Sequence, residues 1–302
     1  MNEASASADP ILPLLKWPGG KRKLVPTILA AFPPRVTAPL HEPFVGSAAV
    51  ALGGVSTSGS VLADINPRLI QFHRVVRDFP SDLHKWLQKF PVGGGWADRY
   101  ASIRTAFNEA DAPSADGYPR DRDVLNAARF LWLNKAGFNG LYRENSRGEF
   151  NVPPGSYGTV RLPSPDAIRA VSNALKLCVL RCQDWRITVL EAPAGARLYV
   201  DPPYGPISKT AAFTTYSRKP FTWEDQISLA EACAGAAARG VHVVASNHGT
   251  DRILELWERH GFHTRKVAGV KRSISCKGSG RAEEVPEVLF TSWASAPNPE
   301  VQ

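Results

Sequence analysis

Leu198-Tyr199-Val200-Asp201-Pro202-Pro203-Tyr204 is the stretch from which the rest of the chain can be read. Its first three residues have the length and apolarity of a short buried strand. The two prolines lock φ at about −65° and remove two backbone donors, so the strand must stop at Val200 with its last carbonyls left to accept from a ligand. The tip therefore presents a carboxylate, a rigid turn and an aromatic ring. Such a corner can hold a planar amine. An exocyclic amine on a heteroaromatic base is a poor nucleophile because its lone pair is delocalised into the ring. The Asp201 carboxylate and the Pro202 carbonyl are two acceptors able to draw it toward tetrahedral geometry, while Tyr204 stacks on the base. Taken alone, the tetrapeptide also reads as a plain strand-ending Pro-Pro turn.

Outward from this corner, short β-like runs at residues 39–42, 60–64, 197–200 and 241–246 alternate with longer helical patterns. That alternation predicts a doubly wound, Rossmann-like α/β sheet. The clearest helix is 223–239, with Thr222 as N-cap, Glu224 and Asp225 in the first turn and Gly240 at its end. The rhythm breaks at residues 75–163. Helical runs at 81–90 and 122–135 precede a loop, 138–158, dense in Asn, Gly, Arg and aromatic residues, and the whole reads as an inserted, mostly helical domain. Residues 262–293 read as two strands around a basic loop at 276–281, an antiparallel hairpin at the sheet edge. The expected organisation is 11–74 and 164–296 for the two parts of the α/β domain and 75–163 for the insertion. The polar ends, 1–10 and 297–302, are expected to be disordered.

With 302 residues, 43% of them hydrophobic, the chain can bury a sizeable core. No apolar run approaches the roughly 20 residues that cross a bilayer, and residues 2–9 do not resemble a signal peptide, so the protein is expected to be soluble and cytoplasmic. Cys178, Cys182, Cys233 and Cys276 include no C-x-x-C pair and are read as reduced packing residues. None of the seven histidines has ligand spacing, so no metal is expected. The net charge of +8 suits a polyanion, and the basic residues cluster in glycine-bearing segments that suit phosphates: Lys16/Lys21/Arg22/Lys23, Arg143/Arg147, and a C-terminal group that includes Lys277 and Arg281.

Two further segments point to a nucleoside. Glu42-Pro43-Phe44-Val45-Gly46-Ser47-Ala48-Ala49-Val50 follows a strand and opens a helix, and its small residues let a ligand approach the backbone. Asp64 comes 18 residues after Gly46, at the end of the next strand, where an acidic residue can receive ribose hydroxyls. Asp64-Ile65-Asn66-Pro67 equally reads as a helix N-cap. No pyrophosphate fingerprint is present, and S-adenosylmethionine fits a loop that lacks the third glycine. Lys16-Trp17-Pro18-Gly19-Gly20-Lys21 adds cations, a stacking ring and a turn.

Together these residues closely resemble the Dam-type family of DNA adenine methyltransferases, in which the cofactor loop precedes the target-recognition domain and D-P-P-Y follows it. The resemblance runs over about residues 14–293. It also rests on Leu133-Asn134, Phe138-Asn139-Gly140-Leu141, Arg143, Gly148-Glu149-Phe150-Asn151-Val152-Pro153, Ser246-Asn247-His248 and Arg272-Ser273-Ile274-Ser275. It implies cofactor contacts from Trp17, Lys21, Asp64 and Asp201, beside the Glu42, Phe44 and Gly46 loop, and catalysis by Asp201, Pro202, Pro203 and Tyr204. It places Lys16, Asn139, Leu141, Arg143 and Pro153 near the bases, with Phe138 as an intercalating aromatic. Pro18 and Ser47-Ala48 depart from the family's usual alanine and glycine-richer loop.

What the resemblance implies is S-adenosylmethionine-dependent methylation of the N6 amine of adenine in double-stranded DNA, with GATC as the expected site, by base flipping and direct transfer. It admits a companion restriction endonuclease acting independently, and either a bacterial nucleoid or a phage-infected host as the setting. An adenine at another DNA site or in RNA, and a protein that binds cofactor and DNA without turnover, are the alternatives.

Overall fold

A computed structural model of the chain describes residues 11–34, 36–55, 58–110, 113, 118–204, 221–267 and 286–294. Among them seven strands form one sheet: β1 (Leu40–Glu42), β2 (Ser60–Asp64), β3 (Cys178–Cys182), β4 (Arg197–Val200), β5 (His242–His248), β6 (His263–Val267) and β7 (Glu287–Thr291). Their order is β3-β2-β1-β4-β5-β7-β6. The first five run parallel, and β7 lies antiparallel between β5 and β6. The helices are α1 (Val25–Ala31), α2 (Pro67–Asp78), α3 (Pro80–Leu87), α4 (Trp96–Glu109), α5 (Asp121–Ala136), α6 (Pro165–Leu175), α7 (Trp185–Glu191), α8 (Trp223–Ala238) and α9 (Asp251–Arg259).

The doubly wound reading follows from side-chain alternation. Successive residues of a strand point to opposite faces, and the core divides accordingly. Tyr199, Val244 and Leu289 join the cluster beneath α2, α5 and α6, whereas Leu198, Val200, Val243, Ala245, Val288 and Phe290 join the cluster beneath α7, α8 and α9. Strands covered on both faces read as largely apolar runs, as β2, β4 and the first part of β5 do, which is why they stand out in the sequence. Helix α8 has the foreseen N-terminus: the Asp225 N–H donates to Thr222 Oγ1 at 3.2 Å, and the Thr222 N–H donates to Asp225 Oδ2 at 3.0 Å. The C-terminal hairpin is present as β6 and β7, while its basic loop lies outside the described residues.

The helices α1, α6 and α7 go beyond the sequence reading, and three further elements differ from it. Strand β3 was not foreseen, because it is an edge strand whose Cys178 and Leu180 are buried while Val179 faces solvent, leaving only a weak alternating signal. Helix α4 was missed as well, although Trp96, Tyr100 and Phe107 recur on one helical face and are buried against α5. The helix expected after Val50 is a single wide π-type turn, Ala51–Val55, that ends where Gly54 adopts φ 101°. Between β2 and β3 the chain supplies helices α2 to α6 and the loop at 137–163, whose aromatic core includes Tyr100, Phe130, Trp132, Tyr142 and Phe150.

Candidate active site

At the centre of the sheet β1 and β4 lie side by side, while β2 leads away on one flank and β5 on the other. Ligands of open α/β sheets bind outside the carboxyl ends of the strands at such a switch point. Glu42 ends β1, Asp64 ends β2, and Asp201 directly follows β4, so three carboxylates converge there.

The loop after β1 is braced from several sides. The Val45 N–H donates to the Ala63 carbonyl at 2.9 Å, and the Gly46 N–H to Asp64 Oδ2 at 3.3 Å. Gly46 has φ +48°, and a Cβ there would come within 2.8 Å of Trp17 Cδ1, so a side chain is excluded on both grounds. Of the two readings of 64–67, the helix N-cap is present, and it leaves Asp64 at the strand end. Asn66 caps α2 by accepting from Arg68 and Leu69, and Asp64 accepts from Asn66 at 3.0 Å. Burial pushes Asp64 up to about 6, against the pull of those backbone donors. Burial pushes His73 of α2 down to about 4, so it is neutral and its Nε2 faces the Gly46 carbonyl at 2.8 Å as a donor. Glu42 is 2% exposed and, among the described residues, its Oε2 has no hydrogen-bond partner; burial raises it to about 8, with a further push from Asp201. Trp17 stacks on Tyr142 at 5.1 Å, and Phe44 packs on Trp185 and Phe221. A carboxylate at the end of β2, a glycine without room for a Cβ and a buried carboxyl oxygen with no partner among the described residues fit the adenosine of S-adenosylmethionine.

At the second corner, Lys21 Nζ lies 2.7 Å from Asp201 Oδ1 and 3.3 Å from Glu287 Oε1, and it donates to the Gly19 carbonyl at 2.9 Å. Ser246 donates to Asp201 Oδ1 at 2.9 Å and is itself 2.9 Å from the Tyr199 hydroxyl. The Tyr204 hydroxyl donates to Glu287 Oε1 at 2.9 Å, and the Tyr204 ring lies against His248 and under Lys21. Gln226 takes the Pro203 carbonyl at 3.0 Å and is held in turn by Asn247.

The third group surrounds the loop after α5. Asn134 grips the backbone of Lys16 through both its N–H, at 2.9 Å, and its carbonyl, at 2.8 Å, and also donates to the Gly140 carbonyl. Gly140, with φ +66°, leaves room for Lys16, whose Cδ would lie 2.5 Å from an added Cβ. Phe138 is 48% exposed and Asn139 has φ 53°, while the Phe138 N–H donates to the Pro153 carbonyl at 2.9 Å. Arg143 is exposed and held by Asn151 Oδ1 at 2.7 Å; Leu141 is half-buried and Pro153 exposed. Lys135 is pushed down to about 8 by burial and by Lys16, a pair of like charges that an anion would relieve. Lys277 and Arg281 lie outside the described residues.

Sequence reasoning gave no role to Glu287, Ser246, Tyr199, Gln226, His73 or Lys135. Ser246-Asn247-His248, a polar end on an otherwise apolar strand, was the available signal for two of the corner's contacts. Glu287 had no signal, since it precedes an ordinary apolar strand and meets its partners only through the antiparallel pairing of β7 with β5.

The fold and these strand-end groups define a doubly wound α/β protein with carboxylates gathered at the switch point of its sheet. The chain matches the D12 class N6 adenine-specific DNA methyltransferase family over residues 17–271, and it belongs to that family. It is similar to the DNA adenine methylase of Vibrio cholerae O1 (strain O395), with 35% identity over 286 residues, covering 93% of this chain and 97% of that protein. The DNA adenine methylase of Escherichia coli K12 is 35% identical over 276 residues, covering 91% and 93%. The Type II methyltransferase M.MjaIII of Methanocaldococcus jannaschii is 32% identical over 303 residues, covering 94% and 99%.

Proposed function

We propose that the protein, an adenine-specific DNA methyltransferase, takes its methyl group from S-adenosylmethionine and delivers it to an adenine flipped out of GATC in double-stranded DNA. The observation that carries this reading is the path of residues 16–21. Within six residues the chain touches all three groups: Lys16 meets Gly140 of the recognition loop, Trp17 meets Gly46 of the cofactor loop, and Lys21 meets Asp201.

S-adenosylmethionine supplies an electrophilic methyl on a sulfonium. Asp64 and the Gly46 loop, with Trp17, Glu42 and Phe44 beside them, bind its nucleoside. Asp201 and the Pro202 carbonyl accept hydrogen bonds from the amine and orient its lone pair, and they strengthen their hold as the nitrogen becomes cationic. No covalent enzyme intermediate is needed. Unstacking the adenine costs a few kcal/mol, offset by Tyr204 against the flipped base and by Phe138 entering the vacated stack. Lys16 suits the O6 and N7 of the outer guanine, and Leu141, Arg143 and Pro153 suit the remaining pairs, with Asn139 at the loop tip.

The test is transfer of labelled methyl to a GATC duplex and to duplexes carrying each single substitution of that site, followed by nucleoside analysis. N6-methyladenine confined to GATC supports the reading, and equal labelling of the substituted duplexes contradicts it. The likeness to Type II enzymes favours a second reading, a different adenine site shared with an independently acting endonuclease, which the same duplex set would expose as labelling at another sequence.

A further inference from the structure

Glu287 belongs to none of the motifs that mark the site, yet it stands among its charges. It opens β7 directly opposite His248 of β5. Its Oε1 accepts from the Tyr204 hydroxyl at 2.9 Å and lies 3.3 Å from the Lys21 ammonium, which is 2.7 Å from Asp201. The Tyr204 hydroxyl, pushed well up by burial and the nearby carboxylates, stays protonated and donates. Glu42 is raised to about 8 and is neutral at pH 7. Among the described residues the corner therefore holds one ammonium, 5% exposed, between two carboxylates, a net charge of −1.

That surplus charge matters because an ammonium and a single carboxylate in contact cancel each other, leaving little field for a ligand. Methyl transfer moves a positive charge. The N6–carbon bond forms as the carbon–sulfur bond breaks, the charge passes from sulfur to N6, and a proton then leaves N6 through Asp201 to water. We propose that Glu287 is a positioning residue for this reaction: as the second counter-charge of Lys21 it frees Asp201 to face the amine and gives the corner a net negative charge that favours the sulfonium over the neutral thioether. The inference rests on the reading of Asp201 as the amine's acceptor.

The experiment uses the full chain and two probes that differ by one methyl and one charge, S-adenosylmethionine and S-adenosylhomocysteine, with both dissociation constants measured by calorimetry. In Glu287→Gln, which keeps an oxygen for Tyr204 but loses the charge, the preference for the sulfonium should fall about tenfold. In Glu287→Gln combined with Lys21→Met the net charge is again −1, and the preference should return to within about threefold of wild type. Glu287→Asp, which keeps the charge, should retain the preference and serves if Glu287→Gln fails to fold. A fall of less than about threefold in Glu287→Gln, or no recovery in the double variant, would overturn the inference. Wild type that methylates DNA while Glu287→Gln keeps the full preference would sink this inference alone. Wild type that binds neither probe would sink the reading of the site and this inference with it.

Discussion

Asp64 and His73 hold the same turn from two sides, and the raised value of Asp64 makes the turn sensitive to pH. Asp64 is held at about 6 in the free protein, while His73, near 4, stays neutral throughout the range in which Asp64 titrates. Ribose hydroxyls need the ionised carboxylate as acceptor. With the ribose on Asp64 as proposed, binding is full well above pH 6, is about half lost at pH 6 and falls by up to about tenfold per unit below it. Calorimetric titration of S-adenosylmethionine at pH 7.5 and pH 5 should show this weakening in wild type. Asp64→Asn should bind more weakly at pH 7.5 and lose the dependence; an equal slope in both would remove Asp64 from the ribose. At this scale the sequence was informative wherever a residue sits at a strand end in a recognisable run, as Asp64 and Asp201 do. It was silent where a side chain works through a contact far away in sequence, as Glu287 does with Lys21 and His73 with Gly46.

Among the elements, the recognition loop and residues 16–21 act as one piece, because Asn134 of α5 fixes Lys16 and Gly140 together. Lys16 is thereby held by its backbone while its side chain stays exposed, which suits reading a base edge. Lys16→Ala should relax discrimination at the first base pair of GATC by about 1–3 kcal/mol and leave cofactor binding little changed. Kinetics on the singly substituted duplexes decide the matter: an equal slowing of all of them would reduce Lys16 to a phosphate contact. Many of the elements that the sequence revealed have both faces covered or strong caps, such as β2, β4 and α8, while the exposed edge strand β6 was read from its pairing in the expected hairpin. Edge strand β3, half exposed, and α4, whose apolar face is only every third or fourth residue, carry weaker signals because less of each is buried.

The molecule as a whole carries a net charge of +8, and binding to non-cognate duplex should weaken steeply with salt, with a log–log slope of about −0.9 per phosphate contact. Removing Lys277 and Arg281 together should flatten that slope; an unchanged slope would show that residues 276–281 do not touch phosphate. Global stability should also report on Glu42. Its folded value, about 8, lies above its ordinary 4.5, so the folded state holds its proton more tightly and stability falls as pH rises from 4.5 through 8. Glu42→Gln should therefore melt near wild type at pH 5 and exceed it at pH 8.5 by roughly 2–5 kcal/mol. Equal stability of the two proteins at both pH values would show that the carboxyl is not desolvated.

The most direct test of the account is single-turnover methyl transfer by Asp201→Ala on a GATC duplex, with DNA affinity measured in parallel. Loss of the acceptor that orients the amine should slow the chemical step by several orders of magnitude while DNA binding largely survives. A rate within about tenfold of wild type would contradict the placement of the reaction at the Asp201 corner.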